Sequence, residues 1–219
     1  HKDIITGSIQ NYQSSINDKG ISNKNDGLIF LLNGPPGIGK TLTAEAVSEY
    51  LKKPLYKITI GDLGKNPDYL ESNLGTILDR TEKWNAILLI DEADVFLEKR
   101  SASKMDQNFY VSVFLRLLEY YNGVLFLTSN RGDDIDEAFL SRVTTPIFYE
   151  NLDSAQRYNI WSKLLETNNI NLSEKDRKEI AEVPLNGRQI KNIAKLAIWM
   201  SASKNKPLSA SDILKTAKV

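Results

Sequence analysis

Residues 27–41 read GLIFLLNGPPGIGKT. Gly27–Asn33 is a continuous apolar run that stops at glycine and proline. At that length it reads as a strand buried on both faces, as in a parallel sheet. Gly34–Thr41 then match the spacing G-x-x-x-x-G-K-[ST]. The glycines let backbone N–H groups turn inward around a phosphate. A helix starting at Lys40 adds its positive N-terminal end. The Lys40 ammonium suits β- and γ-phosphates, and the Thr41 hydroxyl suits Mg²⁺. Gly34, Pro35, Pro36, Gly37, Ile38, Gly39, Lys40, Thr41 and the adjoining Leu42 are therefore the expected nucleotide-contacting stretch. A chance glycine-rich turn is the alternative, and its position between a buried strand and a helix argues against it.

Outward from this loop, strand and helix patterns alternate. Residues 40–52 read as a helix with Leu42, Ala46, Val47 and Leu51 on one side. Leu55–Ile60 alternates as a second strand, and 67–83 read as a helix through Leu70, Leu74, Ile77 and Leu78. Ala86–Ile90 is a third strand and 105–121 a long amphipathic helix. Val124–Leu127 is a fourth strand, Ile135–Ser141 a short helix, and Pro146–Tyr149 a fifth strand, with Pro146 at its start or on an edge. Residues 1–26 are mostly polar and irregular, and the spacing of Ile4, Ile5 and Ile9 suits a short helix or docking segment. From Asp153 onward only helices are expected. Asp153 with Gln156, Ser173 with Asp176, and Ser209 with Asp212 resemble capping boxes. Ile190, Ile193, Ala194, Ala197 and Ile198 form a helical stripe. The change of pattern predicts an α/β domain over 1–151 and a helical domain over 152–219.

The third strand runs directly into acids: residues 87–92 read ILLIDE. Asp91 at its C-terminal end lies where open α/β sheets bind ligands and suits Mg²⁺, usually through water. Glu92 can orient and polarise an attacking water. A solvated acidic loop is the alternative. Asp94 and Glu98 are weaker candidates, expected to face solvent or a neighbour.

These pieces, with LFLTSN at 125–130 and IDEAFLSR at 135–142, resemble the AAA+ family, ATPases associated with diverse cellular activities. Residues 91–98, 113–121 and 138–142 are similar to a group of AAA ATPases common in fungi. The resemblance covers nearly the whole chain. It implies a P-loop NTPase fold with a five-stranded parallel sheet in the order 5-1-4-3-2 and a helical lid, with ATP and Mg²⁺ as cofactors. It further implies Asn130 as the residue that positions water (sensor 1). Arg142 would be an arginine finger for the next subunit's site, with Arg131 as runner-up. Arg188, with Gly187 before it, would be a lid arginine near the γ-phosphate. Each has a plainer alternative: a turn asparagine, a surface arginine near the sheet edge, a solvated arginine. Ile160 lies where lid residues often meet adenine and equally suits core.

Two threading features are absent. Tyr69-Leu70 lacks the glycine of an aromatic–hydrophobic–glycine pore loop, so Tyr69 reads first as a helix-face residue. Leu118–Gly123 lacks the Asp-Gly-Phe sequence found before the fourth strand in threading members. The expected partners are further copies of the chain, in a ring expected to be hexameric, and a protein substrate.

Composition limits the other possibilities. With 28 basic and 28 acidic residues the net charge is zero, which gives no support to a broad nucleic-acid face. There is no cysteine, which excludes disulfides and thiolate metal sites, and the one histidine is His1. No apolar run approaches a membrane span, and residues 1–26 lack a signal-peptide core. An intracellular, soluble ATPase module of a longer protein is expected. An ATP-gated binding module with slow turnover, a DNA-associated AAA+ ATPase and a P-loop kinase are the alternatives.

Overall fold

The computed structural model describes residues 2–17, 27–63, 67–99, 105–131, 135–203 and 206–217. Five strands form one sheet: β1 (Leu28–Asn33), β2 (Leu55–Thr59), β3 (Ile87–Asp91), β4 (Val124–Ser129) and β5 (Thr145–Phe148). Their order is β2-β3-β4-β1-β5, and every pair is parallel. This is the expected 5-1-4-3-2 sheet read from its other edge. The central strands are apolar up to their C-terminal ends because both faces are covered, as the period of two requires. On one face Ile29, Leu31, Leu88, Ile90, Leu125 and Leu127 pack with side chains of α4 (Pro67–Lys83) and α6 (Met105–Leu118). On the other, Phe30, Leu32, Ile87, Leu89 and Phe126 meet α1 (Lys2–Asn17) and α2 (Lys40–Leu51). Pro146 falls in the edge strand β5, opposite Leu31, where a missing N–H is tolerated.

Several boundaries and faces differ from the sequence reading. The N-terminal segment is a helix of 16 residues, whose Ile5 and Ile9 are fully buried. In α2 the buried positions are Lys40, Ala44, Val47 and Ser48; Leu42 and Ala46 are exposed. Two apolar side chains on a short amphipathic helix left the buried face ambiguous, and packing against α1 resolved it. The short helix expected over 135–141 is α7 (Glu137–Leu140), capped by Asp136, whose carboxylate accepts from the Ala138 N–H. The remaining short helices of this part are α3 (Ile60–Leu63) and α5 (Asp94–Leu97). Tyr69 is exposed in the first turn of α4, while Leu70 beside it is buried.

The chain divides into two compact units, residues 1–34 with 40–149, and residues 35–39 with 150–219. The second contains α8 (Ser154–Thr167), α9 (Glu174–Glu182), α10 (Gly187–Ser203) and α11 (Ala210–Ala217). Its core is Trp161, Leu165, Ile180, Ile190, Ala194, Ala197 and Ile213. Asp153 and Gln156 form a reciprocal capping box at the start of α8. Buried Arg157 is satisfied by two carbonyls, those of Ala181 and Leu152. No helix among the described residues is long and apolar enough to cross a membrane.

Candidate functional site

The strand ends carry the chemistry. Gly34 leaves β1 with φ 146°, and a Cβ there would lie 2.3 Å from the Tyr149 carbonyl oxygen, so only glycine fits. Its N–H donates to the Ser129 carbonyl of β4. Its carbonyl accepts from the Lys40 ammonium at 2.6 Å, and the same ammonium donates to Asn130 Oδ1 at 2.9 Å. Lys40 is 7% exposed, so its charge needs oxygen partners, and a phosphate would be a stronger one. Gly37 (φ 75°) and Gly39 (φ 104°) give the loop between them a backbone that side-chain-bearing residues rarely adopt.

Asp91 ends β3 as a meeting point. Its Oδ1 accepts from Thr128 at 2.6 Å and from Thr41 at 3.1 Å, and its Oδ2 pairs with the Lys57 ammonium at 2.9 Å. Burial pushes its carboxyl up, but the bonds from Thr128, Lys57 and Thr41 outweigh that and hold the pKa below the usual carboxylate value. Thr128 also accepts from the Glu92 N–H at 2.9 Å. That bond steadies Glu92, a non-glycine residue in the left-handed region at φ 57°, with its side chain exposed. Asp94 and Glu98, expected to face solvent or a neighbour, instead brace the site. Asp94 accepts from the Ser129 hydroxyl and the Asn130 N–H, and Glu98 pairs with Arg131 at 2.9 Å.

Asp91 and Thr41 supply hard oxygen donors that already touch each other. That donor set fits Mg²⁺, which keeps several waters and needs one or two protein oxygens beside phosphate. Among the described residues no three acidic or histidine side chains could hold a metal alone.

In the helical unit, the N–H of Arg188 donates to the Gly37 carbonyl at 3.3 Å. A Cβ on Gly187 would lie 3.0 Å from that same oxygen and 3.9 Å from Ile160. Ile160, Gly187 and Arg188 thus gather beside Gly37, and the Arg188 side chain is exposed. Pro35, Pro36 and Ile38 belong to the same loop. Arg142 makes its contacts elsewhere: its guanidinium donates to the Ala138 carbonyl at 2.9 Å and pairs with Glu119.

Sequence reasoning missed Thr128 and Lys57. Thr128 stood in the quoted 125–130 stretch, but nothing there told which residue would reach Asp91. Lys57 lies on β2, and only the register Thr59↔Asp91 carries its stem alongside the carboxylate.

The family model described as "ATPase family associated with various cellular activities (AAA)" matches residues 30–151. A mitochondrial sorting homolog of Caenorhabditis elegans is 28% identical over 184 residues, spanning 79% of this chain and 53% of its own. An ATPase family AAA domain-containing protein 3A homolog of Drosophila melanogaster is 30% identical over 119 residues, 52% of this chain and 20% of its own. A Lon protease of Mycoplasma genitalium is 32% identical over 146 residues, covering 55% and 18%. The chain thus spans between about a fifth and half the length of these relatives. A chain in the structure of the E. coli MS115-1 HORMA:CdnC:Trip13 complex has the same fold, with a TM-score of 0.75 at 17% identity, covering 100% of this chain and 86% of that one. With the phosphate-loop geometry and the parallel sheet in the same frame, the chain belongs to the AAA family of ATPases.

Proposed function

We propose that this chain binds ATP with Mg²⁺ at Gly34–Thr41 and that hydrolysis there drives a ring-forming, protein-remodelling AAA+ machine. One observation carries the reading. Lys40 is bonded to Gly34 and Asn130 at 2.6 and 2.9 Å, and Asp91 to Thr41 and Thr128 at 2.6–3.3 Å; the two sets, drawn from three strand ends and the start of α2, adjoin at the consecutive residues Lys40 and Thr41. In this proposal the loop amides and Lys40 hold the β- and γ-phosphates. Thr41 and Asp91 would hold Mg²⁺, which would supply positive charge against the charge that develops on the phosphate. Asn130 and Glu92 orient the attacking water, and Glu92 takes its proton. Gly187, Arg188 and Ile160 contribute from a lid domain over 152–219. Arg142 serves the site of a neighbouring copy, and residues 1–151 form the nucleotide-binding domain.

Paired variants test this. Lys40→Ala should lose micromolar ATP binding by calorimetry, because a buried phosphate would lack its cation. Glu92→Gln should bind ATP as wild type while turnover falls by about 10² or more, the range for loss of a general base. Unchanged turnover at saturating ATP would remove Glu92 from the mechanism.

A second reading is an ATP-gated binding module with slow turnover. The Arg142–Glu119 pair favours it for the isolated chain, since a finger engaged within its own subunit serves no other site.

A further inference from the structure

Lys57 has no place in the mechanism above, yet its ammonium lies 2.9 Å from Asp91 Oδ2, the carboxylate assigned to Mg²⁺. The two side chains differ in exposure, 42% for Lys57 and 18% for Asp91. The carboxylate is therefore the more shielded partner, and the lysine the more exposed one, reaching in on its four-carbon stem from the edge strand β2. Asp91 Oδ1 accepts from Thr128, and the Thr41 hydroxyl lies between the two oxygens, 3.1 Å from Oδ1 and 3.3 Å from Oδ2. The ammonium holds Oδ2 at the shorter 2.9 Å, beside the Thr41 hydroxyl assigned to the same metal.

We propose that Lys57 is a built-in counter-cation of Asp91 that competes with Mg²⁺. Without metal it neutralises the carboxylate, so that Asp91 does not repel a triphosphate. With metal its hold on Oδ2 weakens, because the +1 and +2 charges around one carboxylate repel each other. Lys57 thereby narrows the difference between metal-free and metal-loaded nucleotide affinity. The inference rests on the assignment of Asp91 and Thr41 to Mg²⁺.

The test measures binding of the non-hydrolysable analogue adenosine 5′-(β,γ-imido)triphosphate, in EDTA and in millimolar Mg²⁺. Wild type is compared with Lys57→Met, which keeps the apolar stem, and with Lys57→Arg, which keeps the charge. In Lys57→Met the affinity in EDTA should fall while the affinity in Mg²⁺ holds or rises. The Mg²⁺-to-EDTA affinity ratio should then widen by about two- to fivefold, the size of a partly exposed ion pair. Lys57→Arg should retain the wild-type ratio. A lysine that only props the edge of the sheet would move both affinities together. An unchanged ratio in Lys57→Met, with Mg²⁺ still strengthening wild-type binding, overturns the role of Lys57 alone. Wild-type binding indifferent to Mg²⁺ overturns the metal assignment, and this inference with it.

Discussion

At the residue scale, one hydroxyl does two jobs. Thr128 donates to Asp91 and accepts from the Glu92 N–H, so it links the residue assigned to metal with the residue assigned to water. Thr128→Val keeps the shape and removes both bonds. Glu92 then loses the tether on its left-handed backbone, and turnover should fall by about tenfold, in line with roughly 1–3 kcal/mol for a polar group left unpaired. Thr128→Ser should restore most of it. Steady-state kinetics decide the matter: a loss confined to KM, or no rescue by serine, would show that Thr128 only fills space. Tyr121 offers a test of stability. Burial pushes its phenol from an ordinary 10 up to about 12, against a lowering hydrogen bond with Thr81. A raised folded pKa means that the folded state keeps a proton which the unfolded state releases. The stability is intact below pH 10 and is lost as pH climbs from about 10 to about 12. Across that window wild type should lose up to about 3 kcal/mol through this group. Tyr121→Phe should show a shallower decline in urea unfolding over the same range, and parallel pH profiles would contradict the burial argument.

At the element scale, α4 shows how burial divides one helix. Leu70, Leu74 and Leu78 face the sheet, while Tyr69 stands 62% exposed one residue from Leu70. Leu74→Ala leaves a cavity that the sheet cannot close, at a cost of about 2–5 kcal/mol. Tyr69→Ala should stay within about 0.5 kcal/mol of wild type, as exposed substitutions usually do. Chemical denaturation of the two variants checks the contrast. If Tyr69→Ala leaves stability untouched yet abolishes substrate-stimulated turnover, the aromatic acts in a pore despite lacking its glycine. In the helical unit the helix starts follow local rules, with Asp153, Ser173 and Ser209 accepting the N–H groups of Gln156, Asp176 and Asp212.

At the scale of the whole molecule, the question is what an isolated chain lacks. Arg142 is held by the Ala138 carbonyl and Glu119 of its own chain. If it serves a neighbour in the proposed ring, assembly must exchange that half-buried pair for a phosphate. Activity per molecule should then rise with protein concentration, since a monomer's site lacks its cation. Arg142→Ala should bind ATP normally and turn over poorly, given that such a cation is worth about 10³–10⁵ in rate. Mixed with Lys40→Ala protein it should recover part of the activity, because some interfaces join a sound site to a sound arginine. Turnover assays across dilution and in the mixture measure this. Flat activity with no recovery in assembled protein would pass the role to Arg188.

Much of this was decided along the chain. Apolar runs at 28–32, 87–90 and 124–127 read as strands because they are too short for helices, and a sheet covered on both faces buries runs of that length. The loop at 34–41 and the acids after 90 followed from their spacing, and the helical tail from its caps and stripe. All of these are signals spanning fewer than twenty residues. The tertiary structure alone decided who touches whom. Lys40 meets Asn130 across 90 positions, Thr41 meets Asp91 across 50, and Thr128 meets Asp91 across 37. Lys57 reaches Asp91 only through the register of β2 on β3, Leu42 turns outward because Ala44 and Val47 take the core, and Arg142 finds Glu119 at the end of a different helix. Local propensity and period are properties of neighbours in sequence. The partners of a hydrogen bond or ion pair depend on strand order and register, which are set only when the whole sheet assembles.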